Sequence, residues 1–281
     1  MVISRITSGL GNQLFQYACG RALSLCQGVP MKLDLQNFQD FKNRRYALNA
    51  LALKATEATP EEVNEFLKND TPWQRLVMPR ARRRVRRETG FGFDETLLRA
   101  GPDVYLIGYW QSPRYFEDVE SEIRRELVWR IPPPPPTQAV LEKISAPKTV
   151  SIHVRRGDYV SNPGYAKRFG ALPLTYYERA LQYLAERETD LHGVIFSDEP
   201  AWVKATFPQL IPFTVVEGNE ATEDLRLMTA CRRHVIANST FSWWGAWLAP
   251  FPDKTVLAPA RFFNDSTLPD RDLVPEAWVR I

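Results

Sequence analysis

Short apolar runs alternate with helical periods along almost the whole chain. VISRI at residues 2–6 reads as a strand, followed by a glycine-containing turn and a helix over 13–25. A second strand is predicted at 29–35. Thr59-Pro60-Glu61-Glu62 has the form of a capped helix start, with proline at the first helical position. VYLIGY at 104–109 is a further strand, and 113–127 a helix carrying Tyr115, Val119, Ile123 and Leu127 on one apolar face. From residue 148 the alternation is cleaner. Strands are predicted at 150–154, 194–197, 213–216, 234–237 and 255–258, with helices at 175–187, 200–206, 223–231 and 242–248 between them. Such alternation predicts an α/β class, with parallel sheets covered on both faces. Ligands in these folds sit off the carboxyl ends of the strands, so the chemistry is sought there.

Five consecutive prolines at 132–136 separate the two halves. Proline cannot join a helix interior or a central strand, so the tract predicts a polyproline II spacer of about 15 Å. A proline run can also be bait for a partner's aromatic groove, but between two folded halves a linker is the favoured role. The expected organisation is a domain over 1–131, a Pro-rich linker and lead-in over 132–147, and a second domain over 148–281.

Of the 281 residues 44% are hydrophobic and 25% charged, as in a soluble globular protein, and the net charge of +3 argues against nucleic acid as the main partner. The basic excess is local: Arg75, Arg80, Arg82, Arg83, Arg84, Arg86 and Arg87 crowd one segment. Its plain reading is a solvated helix face; the sharper one is peripheral contact with an anionic membrane through 75–87. Cys19, Cys26 and Cys231 make an odd count without a CxxC pair, which points to a reducing compartment, neither zinc nor disulfides, and core positions for Cys19 and Cys26 on one helix. The chain opens on a strand without a charged leader and has no apolar run of eighteen residues, so the expected location is cytoplasmic, peripheral on the inner membrane face if the arginines dock there.

Four motifs stand at strand ends. Ser8-Gly9-Leu10-Gly11-Asn12-Gln13 links the first strand to its helix; the glycines allow close backbone approach, Asn12 suits an N-cap, and a helix N-terminus attracts anions. It has neither the GxGxxG of a dinucleotide fold nor the GK[ST] of a P-loop. His153-Val154-Arg155-Arg156-Gly157-Asp158-Tyr159 runs from a strand into two arginines, the side chains best shaped to grip phosphate. On an extended chain the two point to opposite faces, so one is expected to reach a ligand and the other to pin the fold, with Asp158 holding a guanidinium. His153 is equally suited to a buried hydrogen bond or a ligand contact. Ser197-Asp198-Glu199-Pro200 places a carboxylate where it can pair with a guanine edge or ribose, or simply cap a helix. Asn238-Ser239-Thr240-Phe241-Ser242-Trp243-Trp244 puts hydroxyls at a helix start, able to cap it or hold phosphate oxygens, before tryptophans expected in the core. Asp270-Arg271-Asp272 reads as a loop rather than a divalent-ion site.

Together these motifs resemble the α-1,2-fucosyltransferases of glycosyltransferase family 11. That family's hallmarks are a GLGNQLFQYA opening, an HIRRGDY-like element, an SDD or SDE turn before a Trp-containing helix, and NSTFSWWGAWL. Here they stand at 9–18, 153–159, 197–202 and 238–248, and DLRLM at 224–228 is similar to the helix before the last motif. Residues 37–101 match least, and acceptor choice is expected there. Glu199 stands where aspartate is common. The resemblance implies a GT-B-like architecture of two Rossmann-like domains, with the donor site in the cleft between them and the N-terminal domain on the acceptor side. It implies GDP-β-L-fucose as donor and the 2-hydroxyl of a terminal galactose, on a glycan that can be lipid-linked, as acceptor. Transfer would invert the anomeric centre and need no metal or other cofactor. By the same resemblance Arg155 is the catalytic arginine on the pyrophosphate and Asp198 the carboxylate on guanine. His153 and Ser242 are further nucleotide contacts, and Gly11, Asn12 and Gln13 form a loop facing the pyrophosphate. Arg156, Asp158, Asn238, Ser239 and Thr240 complete the expected nucleotide-sugar site. No carboxylate is singled out as general base. The alternatives are another GDP-sugar transferase of different linkage and a non-catalytic nucleotide-sugar-binding protein of polysaccharide assembly.

Overall fold

A computed structural model describes residues 1–40, 45–144 and 148–281. Residues 41–44, in the segment expected to choose the acceptor, and 145–147, at the end of the expected linker, lie outside the described residues. The chain divides into two compact units, Met1–Ile131 with Arg271–Leu273, and Pro132–Asp270 with Val274–Ile281.

The first unit holds strands β1 (Val2–Arg5), β2 (Met31–Asp34), β3 (Thr56–Glu57), β4 (Val85–Arg87) and β5 (Val104–Ile107). They form one parallel sheet in the order β3-β2-β1-β5-β4. Its helices are α1 (Leu10–Gln27), α2 (Asn37–Asp40), α3 (Pro60–Leu67), α4 (Pro72–Val77) and α5 (Glu120–Glu126). α3 starts as its sequence dictates, on a Thr59–Glu62 capping box. α1 starts one turn earlier than expected: Gly9 is the N-cap, and Asn12 lies inside the first turn instead of capping it. The Tyr17 hydroxyl donates to Glu126 at 2.6 Å and Arg21 pairs with the same carboxylate at 2.7 Å, tying α1 to α5. Cys19 is buried, but Cys26 is exposed, because the last turn of α1 before the left-handed Gly28 is only partly covered. The single helix expected over 113–127 is instead two 3-10 turns, Pro113–Tyr115 and Glu117–Val119, followed by α5. Phe116, at φ −137° and ψ 14°, leaves helical geometry between them.

The second unit holds β6 (Thr149–Val154), β7 (His192–Ser197), β8 (Phe213–Val216), β9 (Arg233–Val235), β10 (Thr255–Ala258) and β11 (Val279–Arg280), all parallel, in the order β11-β10-β9-β6-β7-β8. Its helices are α6 (Pro135–Ile144), α7 (Gly157–Ser161), α8 (Pro163–Arg168), α9 (Leu174–Ala185), α10 (Pro200–Thr206), α11 (Ala221–Thr229) and α12 (Thr240–Leu248). The proline tract is therefore not a spacer throughout, since Pro135 and Pro136 open α6. The first helical turn has no intrahelical use for its N–H groups, so proline fits there. All six residues of β6 are buried, with Val150, Ile152 and Val154 packed among Tyr177, Leu181 and Leu184. Trp243, Trp244 and Trp247 of α12 are buried as expected, and Trp243 also packs against Trp278 at 5.3 Å between ring centroids. Asp270 accepts the Phe262 N–H at 2.6 Å and pairs with Arg280 at 3.1 Å.

In both sheets the chain first runs outward from a central first strand. It then fills the other side, from the edge inward in the first unit (β4 before β5) and from the centre outward in the second (β9, β10, β11). The winding reverses between β1 and β5 in one unit and between β6 and β9 in the other. Such reversal points leave a crevice at the carboxyl ends, where open α/β sheets take their ligands. No helix of the described residues is long and apolar enough to cross a membrane.

Candidate active site

In the second unit, parallel pairing sets Val154 of β6 opposite Ser197 of β7, so the loops that follow the two strands leave the sheet side by side. Arg155 is gripped twice there. It donates from Nη2 to Asp158 Oδ1 at 2.6 Å, and its Nη1 lies 3.0 Å from Asp198 Oδ2. The guanidinium stands 5.5 Å from the Tyr159 ring centroid, and burial pushes that phenol up to about 12. Arg156 diverges, as an extended chain requires: its Nε donates to Glu199 at 2.9 Å and its guanidinium lies 3.7 Å from the Trp202 ring centroid. Asp158 thus orients an arginine as expected. Asp198, expected on guanine, has both oxygens engaged within the unit, Oδ1 by the Arg156 N–H at 3.0 Å and Oδ2 by Arg155. Gly157 leaves room for this arrangement, since a Cβ there would sit 2.5 Å from Asp198 Oδ2.

On the other side of β6, Ser239 caps α12 by accepting the Phe241 N–H at 3.3 Å, while Thr240 is the first helical residue. His153 Nδ1 is 2.9 Å from the Ser242 hydroxyl, which donates onward to the Ser239 carbonyl at 3.3 Å. That chain assigns the ring proton to Nδ1 and leaves Nε2 as an acceptor. Asn238 is buried, and its amide nitrogen donates to the carbonyls of Phe169 and Gly170 at 2.9 and 3.0 Å. It braces the loop that presents Phe169, which stacks on Tyr159 at 5.2 Å between centroids. The sequence motifs held no sign of this aromatic tier beyond Tyr159 itself.

Burial, reinforced by the Arg155 charge, lowers His153 to about 3, and burial with the Lys254 charge lowers His234 to about 3. Both imidazoles therefore stay neutral in the folded unit. Below the ordinary histidine value near 6.5 the unfolded chain binds two protons that the folded chain does not, so stability falls as pH drops from about 6.5 towards 3. Each ring contributes a slope of about 1.4 kcal/mol per pH unit. In urea titrations at pH 6.5 and pH 5, His234→Gln is expected to remove one ring's share of the wild-type loss. An unchanged slope would show that the ring is not held neutral.

In the first unit the glycine turn is built around two non-glycine residues in the left-handed region, Ser8 at φ 68° and Trp110 at φ 55°, which follow the adjacent strands β1 and β5. Backbone of this kind costs energy and gathers at functional sites. Gln16 clamps the pair, accepting from the Thr7 N–H at 2.9 Å and donating to the Gly108 carbonyl at 3.0 Å. Asn12 donates to Ser8 Oγ at 3.0 Å and accepts from Gln111 at 2.8 Å. Gln13 is buried and donates to the carbonyls of Ser8 and Arg45 at 2.8 and 2.9 Å, so it holds the loop's shape; Gly11 is buried beside it. Glu88, not anticipated from sequence, accepts the N–H groups of Tyr109 and Trp110 at 2.7 and 2.9 Å, and burial raises its carboxyl above the usual range. Among the described residues no group of three or more His, Cys, Asp or Glu is placed to hold a metal ion.

The family model described as Glycosyl transferase family 11 matches residues 10–281. The chain belongs to that family. It is accordingly a glycosyltransferase. The α-1,2-colitosyltransferase of Escherichia coli is 32% identical over 287 residues, covering 100% of this chain and 99% of the relative. The galactoside 2-α-L-fucosyltransferase Sec1 of Mus musculus is 26% identical, covering 100% of this chain and 74% of the relative. Among solved structures, a variant of FUT1 from Arabidopsis thaliana in complex with GDP is similar in fold, with a TM-score of 0.53 and 10% identity over 98% of this chain and 74% of that one. The fold is GT-B-like, an α/β architecture with two parallel sheets.

Proposed function

We propose that the chain transfers L-fucose from GDP-β-L-fucose to the 2-hydroxyl of a terminal galactose, with inversion and without a metal ion. The observation that carries this reading is Arg155, fixed at the tip of β6 by Asp158 and Asp198 beside the sheet's reversal point. In the reaction the bond from the sugar's C1 to the β-phosphate oxygen breaks, and its electron pair leaves with GDP. The acceptor oxygen forms the new bond to C1 from the opposite face and loses its proton. Negative charge therefore grows on the diphosphate, and a preorganised guanidinium meets it without reorganising. The start of α12 adds oriented N–H groups and the Ser239 and Thr240 hydroxyls for the same oxygens, while Ser242 holds His153 in place behind them. The linkage is supported by the α-1,2 and galactoside names of the relatives, and GDP by the ligand of the fold neighbour. The first unit is assigned to the acceptor, whose glycan can be carried on lipid. No side chain is assigned to the acceptor's proton.

A second donor is favoured by one observation, the full-length similarity to a colitosyltransferase. Colitose is fucose without its 3-hydroxyl, so a single polar contact would separate the two donors. An assay of chelator-treated enzyme with GDP-fucose and GDP-colitose, against lactose, N-acetyllactosamine and galactosyl-N-acetylgalactosamine, decides between them. The expected product is an α-1,2-fucoside identified by NMR. Transfer from GDP-colitose alone would move the donor assignment, and no sugar transfer from either would leave only nucleotide-sugar binding.

A further inference from the structure

The seven arginines from Arg75 to Arg87 do not line one helix face, as their sequence had suggested. They are spread over α4, a 3-10 turn at Arg80–Arg82, the link that holds Arg83 and Arg84, and β4. Asp70 pairs with Arg75 and Arg87 at 3.2 and 2.7 Å, Asp94 with Arg80 and Arg86 at 3.3 and 3.9 Å, and Asp103 with Arg84. Three carboxylates thus serve five guanidiniums. Arg83 donates to backbone carbonyls, and exposed Arg82 has no carboxylate within ion-pair range among the described residues. The surface keeps a positive surplus.

Beside it, α4 is inside out. A Thr71–Gln74 capping box and Pro72 fix its start, and its polar residues Gln74 and Arg75 are the partly covered ones. Its apolar residues face water: Trp73 is 69% exposed, Leu76 82% and Val77 54%, and Met78 follows at 39%. A helix with its hydrophobes outward gains nothing from folding alone, and contiguous exposed apolar side chains mark a docking surface. The occupant is set by charge and chemistry. An arginine-rich segment that follows an outward tryptophan and aliphatic helix face, with Arg83 bonded to the Arg75 and Met78 carbonyls, matches a bilayer whose headgroups carry phosphate over an apolar layer.

We infer that Trp73, Leu76, Val77 and Met78 enter the interface of an anionic lipid bilayer while Arg80, Arg82 and Arg84 meet its phosphates. The inference stands apart from the donor and acceptor assignments, since docking needs neither substrate. The test is co-sedimentation of the full chain with vesicles of pure phosphatidylcholine or of phosphatidylcholine with phosphatidylglycerol, in low and high salt and without nucleotide. Binding is expected only to the anionic vesicles and to weaken with salt. The Trp73→Ser/Leu76→Ser/Val77→Ser variant should bind about tenfold or more weakly with an unchanged thermal transition. Arg80→Gln/Arg82→Gln/Arg84→Gln should lose the preference for anionic lipid. Equal binding of the serine variant, no binding by wild type, or a wild-type dimer that the serine variant dissociates without effect on lipid would overturn the inference, the last by showing that the surface is an interface between copies of this chain.

Discussion

Replacing Arg155 with alanine is expected to lower kcat by about 10²–10³-fold while the second unit stays folded. A hydrogen bond to a charged group contributes about 1.5–3 kcal/mol, and more where it tightens in the transition state. Alanine also leaves Asp158 and Asp198 without their shared cation, facing the site that the diphosphate would occupy. Two bare carboxylates there would repel GDP, so KM should rise as well. Lysine is no substitute. A single ammonium cannot span two carboxylates and still offer a planar fork to phosphate oxygens, so Arg155→Lys should lose most turnover too. The fold survives because the side chain lies beyond the last residue of β6, outside the packed residues Val150, Ile152 and Val154. Steady-state kinetics with matched circular dichroism checks this; a folded alanine variant with near-normal kcat would remove Arg155 from the chemistry.

The second large effect is expected one residue from any charge. Gly157→Ala places a methyl group 2.5 Å from Asp198 Oδ2, closer than atoms tolerate. Asp198 cannot simply rotate away, because its other oxygen holds the Arg156 N–H at 3.0 Å. The carboxylate must shift, and the Nη1 grip on Arg155 is lost with it. A misplacement of about 1 Å can cost on the order of 10²-fold in rate, so kcat should fall ten- to a hundredfold with little change in melting temperature. Gly157→Ala/Asp198→Ser, which frees the space, should tolerate the methyl better than the wild-type background does. Equal sensitivity in both backgrounds would show that the glycine acts through its backbone instead.

Much of this was legible in the chain itself. The apolar runs that became β6, β7 and β10 are largely buried strands with distinct ends, and Arg155 could be placed at a strand tip from its neighbours alone. β4 was hidden by its own arginines: it is an edge strand, and Arg86 is buried there only because Asp94 and Thr96 meet its guanidinium. β3 and β11 have two residues each, too short to show a period. The helix expected over 113–127 kept its apolar spacing but broke at Phe116, which periodicity cannot register. The grip of Asp198 on Arg155 depends on the register between β6 and β7, a tertiary fact without local signature. The same holds for Asn238, whose amide is committed to a loop nearly seventy residues away in sequence. The outward tryptophan of α4 was invisible for the opposite reason, since a short amphipathic stretch does not say which side it will bury.

The most direct test is single-turnover transfer from GDP-fucose to a galactoside in excess chelator, comparing wild type with Arg155→Ala. Undiminished wild-type transfer, with the variant slower by two to three orders of magnitude, is the expected result. Wild-type activity that disappears with chelator and returns with manganese would contradict the claim that a fixed guanidinium, rather than a bound ion, takes up the charge of the departing nucleotide.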